Sequence, residues 1–316
     1  MTGSPGGRVI CAALNAALDI TYVSDHFVAG EANRVNRVYA QAGGKAVNVA
    51  RLLHQAGHDV VVTGFIGGPV GDEIAGDLDN WAIPHCLVRS VAGSRRTISA
   101  FSAGDAAVTA YNESGPPITA AEWGRFTEGF GRLLSGAAAV VLSGSLPAGL
   151  PSGAYRTLAA LAAGSGPAVF VDAHAAPLLA AVAARPALVK PNEHELAEAA
   201  GLAVPVSLPA AVHAARRLLA GGAQGVVVSL GPRGLLGVQS GMSLLATPPT
   251  QRGNTVGAGD AAVAALVEGH LAGQPWPDRL RRAAAMSAAA VRQPVAGVVH
   301  AEDVAELEGL TTVSEL

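Results

Sequence analysis

The chain reads as an α/β fold, a mostly parallel sheet covered by helices on both faces. Two observations carry that expectation. Short β-branched apolar runs alternate with longer Ala- and Leu-rich segments. No low-complexity linker and no internal repeat divides the 316 residues, so one domain spanning 1–316 fits better than two.

Taken in order, the apolar runs predict strands over Val9 to Leu14, Val60 to Ile66, Ala139 to Leu142, Ala168 to Val171, Leu188 to Lys190 and Val226 to Leu230. Helices are expected over Ala46 to Gln55, Gly71 to Trp81, Ala120 to Leu134, Gly153 to Ala163, Glu193 to Ala200 and Leu208 to Ala220. Two polar, β-prone regions, at about 19–41 and 88–111, break this rhythm and suggest insertions that form a small β lobe. From Ala258 onward the chain is helix-rich.

Half of the residues are hydrophobic and mean hydropathy is +0.36, but much of this is alanine, which favours helix without demanding a membrane. The longest charge-free stretch, Leu133 to Tyr155, is interrupted by glycines, prolines and serines and reads as non-membrane. The amino terminus has no basic start followed by a long apolar segment. Cys11 and Cys86 suggest no disulfide framework, so a reducing cytoplasm is the expected compartment. A net charge of −3, with charges scattered, gives no footprint for nucleic acid and points to a small-molecule partner.

The run Gly253-Asn254-Thr255-Val256-Gly257-Ala258-Gly259-Asp260 precedes the helical stretch Ala261 to Leu271. Backbone N–H groups at such a helix start are unpaired and suit phosphate, and the helix dipole favours an ionised Asp260 in the first turn. A carboxylate with an ordinary pKa near 4 cannot make an alkoxide in advance. Phosphoryl transfer does not need one, because its loose transition state lets the base orient the hydroxyl and take the proton late.

Other clusters are weaker alone. Gly43, Gly44 and Lys45 open a helix carrying Asn48, an arrangement that permits close approach of a sugar or serves only as a turn. Asn15 and Asp19 follow the first strand at the sheet's ligand-binding end, although both are common turn residues. Asn192 and Glu195 fit a capping box or a magnesium and phosphate contact equally well. Ser229 to Gly234 reads as a turn between strands against which a nucleotide could lie, and Ser143 to Pro147 ends a strand at the same edge. The histidines have no metal-binding spacing, and neither a Walker A sequence nor a G-x-G-x-x-G at the first βα turn occurs.

In this order the segments resemble the phosphofructokinase B family of ribokinase-like sugar kinases, from Val9 to about Gln293. The residues that carry the resemblance are Gly43-Gly44-Lys45 with Asn48, Ser143 to Pro147, Lys190-Pro191-Asn192 with Glu195, Ser229-Leu230-Gly231 with Gly234, and Thr255 to Asp260. Asn112-Glu113-Ser114-Gly115-Pro116 looks like a segment of the fructose-1-phosphate and tagatose-6-phosphate kinase branch.

The resemblance implies a ribokinase-like three-layer α/β/α core with a β-sheet lid, and transfer of the ATP γ-phosphoryl group to a hydroxyl of a sugar phosphate. It implies Asp260 as base, with Gly257, Ala258 and Gly259 as anion hole, and substrate contacts among Asn15, Asp19, Gly43, Gly44, Lys45 and Asn48. It places ATP against Asn192, Ser229, Gly231, Gly234, Thr255, Gly257 and Gly259, lets Glu195 order Mg²⁺ through water, and suggests a homodimer formed through the lids.

Three positions depart from the pattern. Ala16 stands for a usual Pro and Ala46 for a usual third glycine. More consequentially, Arg96-Thr97-Ile98-Ser99 stands where a Thr-Arg-x-Asn strand usually holds the substrate phosphate, so the expected Arg is Thr97. Arg96 would face the other side of the strand, which leaves Lys45, Arg34 or Arg37 as substitutes, or an acceptor without phosphate. The alternatives are therefore a kinase of a free sugar or nucleoside, and a non-catalytic sugar- or nucleotide-binding sensor.

Overall fold

The computed structural model describes residues 7–316, so the first six residues of the amino-terminal reading lie outside it. The chain begins β1 (Arg8–Ala13), β2 (Ala17–Ser24), β3 (Arg37–Gly43), α1 (Lys45–Gln55), β4 (Val60–Ile66), α2 (Gly68–Asn80), β5 (His85–Arg89), β6 (Arg95–Ser102) and β7 (Ala107–Asn112). It continues α3 (Ala120–Leu133), β8 (Ala137–Ser143), α4 (Ala154–Ala163), β9 (Ala168–Asp172), α5 (Ala175–Val182), β10 (Leu188–Val189), α6 (Glu193–Ala200) and α7 (Leu208–Ala220). The remainder is β11 (Gly225–Ser229), a 3₁₀ turn (Gly231–Arg233), β12 (Leu235–Gln239), β13 (Met242–Thr247), α8 (Ala258–Leu271), α9 (Trp276–Val291), α10 (Ala301–Leu310) and β14 (Thr312–Glu315).

The large sheet has the order β14-β13-β12-β11-β10-β9-β8-β1-β4-β5. Neighbours from β5 to β11 run parallel, and β12 to β14 extend it antiparallel. All six expected strands lie in it. Alternation along β1 sends Val9, Cys11 and Ala13 into one hydrophobic layer and Ile10, Ala12 and Leu14 into the other, so both faces are covered. The first layer is filled by α1, α2, α8 and α9, the second by α3 to α7.

Among these helices α8 is exceptional, because Ala261 to Val267 are all buried. A helix apolar on every side is stable only when surrounded, and α8 is packed between α1 and α9. Its first turn, which carries Asp260, is thereby fixed to the middle of the molecule. The charge-free stretch from Leu133 to Tyr155 becomes the end of α3, then β8, a loop and the start of α4. No helix among the described residues is long and apolar enough to cross a membrane. Cys11 is buried in β1 and Cys86 is exposed on β5, both free.

A second sheet, of order β3-β2-β6-β7, is built from residues 17–43 and 95–112. The later insertion therefore starts further along than the polar pattern suggested. Val88 and Arg89, assigned to it from sequence, belong to β5, which pairs parallel with β4 at the edge of the large sheet.

The small sheet is rooted by a buried ion pair. Arg51 on α1, with no exposed surface, donates through Nη2 to the Ala42 carbonyl at 2.7 Å and pairs with Asp77 at 3.1 Å, while the Trp81 ring lies 5.3 Å from its guanidinium carbon. Asp77 in turn accepts the Ala42 N–H at 2.8 Å. Both backbone groups of one β3 residue are thus satisfied by the two ends of one ion pair, which removes the cost of leaving them dry and unpaired.

Removing the Arg51 end would strand a carboxylate and a carbonyl together. Arg51→Met is expected to lower the unfolding free energy by about 3–5 kcal/mol, read as a shift in urea midpoint. A loss below about 1 kcal/mol would show that the pair is not the anchor of the small sheet.

Candidate active site

The carboxyl ends of β1, β8, β9, β10 and β11 open beneath the small sheet, and two cavities lie there. One, of about 610 Å³, is an open cleft between the small sheet and the large one. The other, of about 420 Å³, lies between the β11–β12 turn and α9. Asn192, Ser229 and Gly259 line both, so the cavities meet at the start of α8.

At that meeting point the chain makes an anion site. Gly257 caps α8 with φ 87°, a left-handed conformation natural to glycine, and a Cβ there would lie 2.6 Å from that of Ala296. The Ala258 N–H reaches the Thr255 carbonyl at 3.3 Å, whereas those of Gly257, Gly259 and Asp260 have no partner among the described residues. Lys190 Nζ would lie 3.3 Å from a Cβ on Gly259, which places an ammonium beside these free donors.

Below them runs an alternating charge array. Asp172, at the end of β9, holds Lys45 at 2.8 Å through Oδ1 and Lys190 at 3.1 Å through Oδ2. Burial alone would neutralise Asp172, but the two ammonium groups outweigh it and hold its pKa below the ordinary value. Burial likewise works against Lys45, and Asp172, Glu195 and Asp260 together outweigh it and raise its pKa.

Asp260 sits beside this array and accepts a hydrogen bond from Asn48 Nδ2 at 2.8 Å. Burial pushes its pKa up to about 7, and the charge of Asp172 adds to the rise, while Lys45, Asn48 and Lys190 pull it down. The sequence placed Asp260 in the ordinary carboxylate range with help from the helix dipole. Desolvation inside the cavity is the larger effect, and the residue is a far better match for proton transfer near neutrality.

Of the residues expected to meet substrate, Asn15, Asp19, Gly44, Lys45 and Asn48 line the larger cavity. Gly43 lines neither. It lies against Asp19, where an added Cβ would stand 1.9 Å from Oδ2, so its smallness makes room for the carboxylate. Burial raises the pKa of Asp19, opposed by the Gly44 N–H, Arg95, Thr97 and Arg51. Asn15 Nδ2 bridges the Ser114 carbonyl at 3.1 Å and Ser145 Oγ at 2.9 Å, tying the 112–116 segment to the end of β8.

Of those expected to meet nucleotide, Gly231, Gly234 and Thr255 line the smaller cavity, Gly257 lines the larger one, and Asn192, Ser229 and Gly259 line both, while Ala258 of the expected anion hole lines the smaller. Glu195 lines neither. It completes the capping box with Asn192, taking that residue's N–H on Oε2 at 2.8 Å, and turns Oε1 toward Lys45 at 3.5 Å and His174 at 3.6 Å. No three His, Cys, Asp or Glu side chains gather as a metal cage among the described residues.

Sequence reasoning missed three side chains. Asp172 ends a strand that was treated only as core. Lys190 was noted only as part of a matched motif. Arg95 was passed over in favour of Arg34, Arg37 and Lys45, with only Arg96 weighed and set aside on β6, yet Arg95 lines the cavity. Arg34, Arg37 and Arg96 are exposed, and Lys45 is bound to Asp172. Strand alternation could have found Arg95, since it shares a face of β6 with Thr97.

Because the folded pKa of Asp260 is raised above 3.8, the native chain binds this proton more tightly than the unfolded chain does. The stability this provides is full below about 3.8 and is lost as pH rises to about 7. Asp260→Asn mimics the protonated form, so it should stabilise the fold at pH 8 by up to a few kcal/mol. Its Tm advantage should shrink toward pH 4.5, and one that does not change with pH would contradict the buried-charge account.

Residues 10–301 match the model of the pfkB family carbohydrate kinases. A 1-phosphofructokinase of Xanthomonas campestris pv. campestris is 39% identical over 268 residues, covering 82% of this chain and 83% of that protein. A 1-phosphofructokinase of Rhodobacter capsulatus is 35% identical over 314 residues, covering 98% of each. The crystal structure of a possible 1-phosphofructokinase from Thermotoga maritima superposes with a TM-score of 0.90 at 26% identity, covering 98% of this chain and 99% of that one. Its ribokinase-like α/β core, its small second sheet and the match over most of its length place this chain in the pfkB family of carbohydrate kinases.

Proposed function

We propose that this kinase transfers the γ-phosphoryl group of ATP to a hydroxyl of fructose 1-phosphate or a close sugar phosphate, with Asp260 as base. One observation carries the reading. The proposed base and three unpartnered N–H groups stand together where the larger cavity meets the smaller, more apolar one. The names of the two curated relatives and the 112–116 segment packed on Asn15 support the acceptor.

In this reading the acceptor occupies the larger cavity and its hydroxyl meets Asp260. Asn48 engages Oδ2 and so fixes the carboxylate, leaving Oδ1 to orient the hydroxyl and take its proton. The N–H groups of Gly257, Gly259 and Asp260, with Lys190 and Lys45, stabilise the charge of the transferring group without reorganising. The small sheet closes over the cavity and keeps water from competing as acceptor.

The smaller cavity suits ATP. Pro248, Pro249, Ala284, Ala288 and Val291 offer apolar contact to a flat base, while Ser229 and Thr255 lie toward the phosphate end. The described residues gather no cage of three His, Cys, Asp or Glu side chains, and Asn192 and the free N–H groups suit a Mg²⁺ that arrives on the triphosphate and keeps its waters. Asn192 on the shared wall would meet that water shell, Glu195 acting through Lys45. The bound ion would supply neutralisation of phosphate charge.

Asp260→Asn should keep the fold yet lower turnover roughly 10²- to 10⁴-fold in an assay of ADP release. In the wild type, kcat/KM for the acceptor should rise with pH and level off above about 7, as Asp260 loses its proton. Near-normal turnover by the variant would remove Asp260 from the role.

The homodimer reading is supported by the outward side of the small sheet, where Val38 is 55% and Tyr111 60% exposed. Val38→Lys with Tyr111→Lys should convert a dimer to a monomer in light scattering. An unchanged mass would place any pairing elsewhere.

A further inference from the structure

We infer that a third cavity, at the end of the large sheet away from the site described above, binds a small metabolite through its carboxylate or phosphate, held by Arg279 with His270 and Trp276. The inference stands apart from the kinase reading, since no residue that lines the larger or the smaller cavity lines this one.

Strand direction gives its place. Leu188 opens β10, Gln224 precedes β11 and Gln239 ends the antiparallel β12, so these cavity residues mark the amino-terminal edge of the parallel strands. The proposed catalytic groups stand at the carboxyl ends. The space measures about 280 Å³, far more than the ~30 Å³ share of one water. α8 carries Asp260 in its first turn and His270 in its last, about 15 Å away along the axis at ~1.5 Å per residue. α9 starts with Trp276 at this cavity, and its later residues Ala284, Ala288 and Val291 line the smaller one.

The charge of the wall is one-sided. No Asp, Glu or Lys among the described residues lines the cavity, and Arg279 does. Acids close to it in sequence are turned elsewhere, Asp278 to Arg281 at 2.8 Å and Glu268 to Arg282 at 3.2 Å. Burial lowers the pKa of Arg279, with no carboxylate to oppose the effect.

The guanidinium is nonetheless held in position. Its Nε donates to the Gln274 carbonyl at 2.6 Å, and Nη1 lies 3.2 Å from His270 Nδ1. Gly269 makes room for its stem, since an added Cβ there would stand 2.8 Å from Arg279 Cγ. Glycine is otherwise a poor residue inside a helix such as α8.

Three donors are left without acceptors. Arginine can only donate, so His270 Nδ1 accepts and the ring hydrogen sits on Nε2. Burial and the charge of Arg279 both lower the His270 pKa, which keeps the ring neutral in this form. Neither His270 Nε2 nor Arg279 Nη2 has a partner among the described residues. The Trp276 ring is 8% exposed, and its Nε1–H is buried with no acceptor. Phe170 meets His270 edge-on, at 5.4 Å between ring centroids, and fixes the imidazole. A cation without a carboxylate, donors without acceptors and an apolar wall that includes Phe170, Leu188 and Leu266 suit an oxyanion on a short carbon skeleton.

The test is calorimetric titration of the full chain with inorganic phosphate, glycerol 3-phosphate and succinate, and with glycerol as uncharged control. At least one of the anions should bind, and glycerol should not. Preference for either phosphate compound over succinate would assign the phosphate form, and the reverse preference the carboxylate form. Arg279→Gln should weaken that binding roughly 10- to 100-fold, as expected for the loss of a charge-assisted hydrogen bond. Ala187→Leu, which fills the cavity from the β10 side and leaves Arg279 in place, should weaken it too, and it decides the matter alone if Arg279→Gln fails to fold. An anion held in the catalytic cavities would add an equivalent that neither substitution removes. If every equivalent bound by the wild type survived both substitutions, if none of the anions bound, or if glycerol bound as well as they do, the inference would be overturned.

Discussion

Much of the site depends on one buried carboxylate. Asp172 is almost fully enclosed, and it stays charged because two lysines from different parts of the chain close on it. Through Lys45 it joins the end of β9 to the start of α1, just past the strand that returns from the small sheet. Through Lys190 it joins β9 to the end of β10 and reaches under the free N–H groups of α8. Each lysine is neutralised without being consumed, since an ammonium has three donors. The same negative charge helps push the neighbouring Asp260 toward neutrality, so one group both assembles the cations and tunes the proposed base.

The structure keeps rigid and variable parts distinct. Asp260 projects from a helix that is buried on every side, whereas the small sheet is an appendage fastened at Ala42 by Arg51 and Asp77. That point on β3 stands immediately before Gly43 and Gly44, and it is joined by Leu18 of β2, which packs into the core, and by Gln41, whose Nε2 donates to the Ala296 carbonyl at 2.9 Å. Gly44, at φ 93°, is the natural place for the direction of the chain to change. That division suits a reaction in which the chemistry must be pre-organised and the cover must move.

The parts of the fold legible in the sequence were those with strong local signals. The six buried parallel strands are nearly continuous apolar runs, and α1 to α4, α6 and α7 were anticipated, whereas the short α5 was not. Of the antiparallel extension only the turn at Ser229 to Gly234 was foreseen, because β12 and β13 form a short hairpin around Ser240 and Gly241, and β14 is exposed for most of its length. In the site, Asp260 and its glycines were legible because a helix start leaves a compositional mark. Asp172 and Lys190 were not, since their meaning lies in a contact between strand ends that spacing does not record. Arg95 was a matter of parity, since only the adjacent Arg96 was weighed and set aside, whereas alternation puts Arg95 on the same face as Thr97.

That parity bears on how such an enzyme can change. The groups proposed to handle the phosphoryl group belong to the large sheet and its helices, while Arg95, Thr97 and Asp19 ride on the small sheet. Substitutions on the cavity-facing side of the small sheet therefore need not touch the packing around α8, so the two walls of the larger cavity can vary independently of each other.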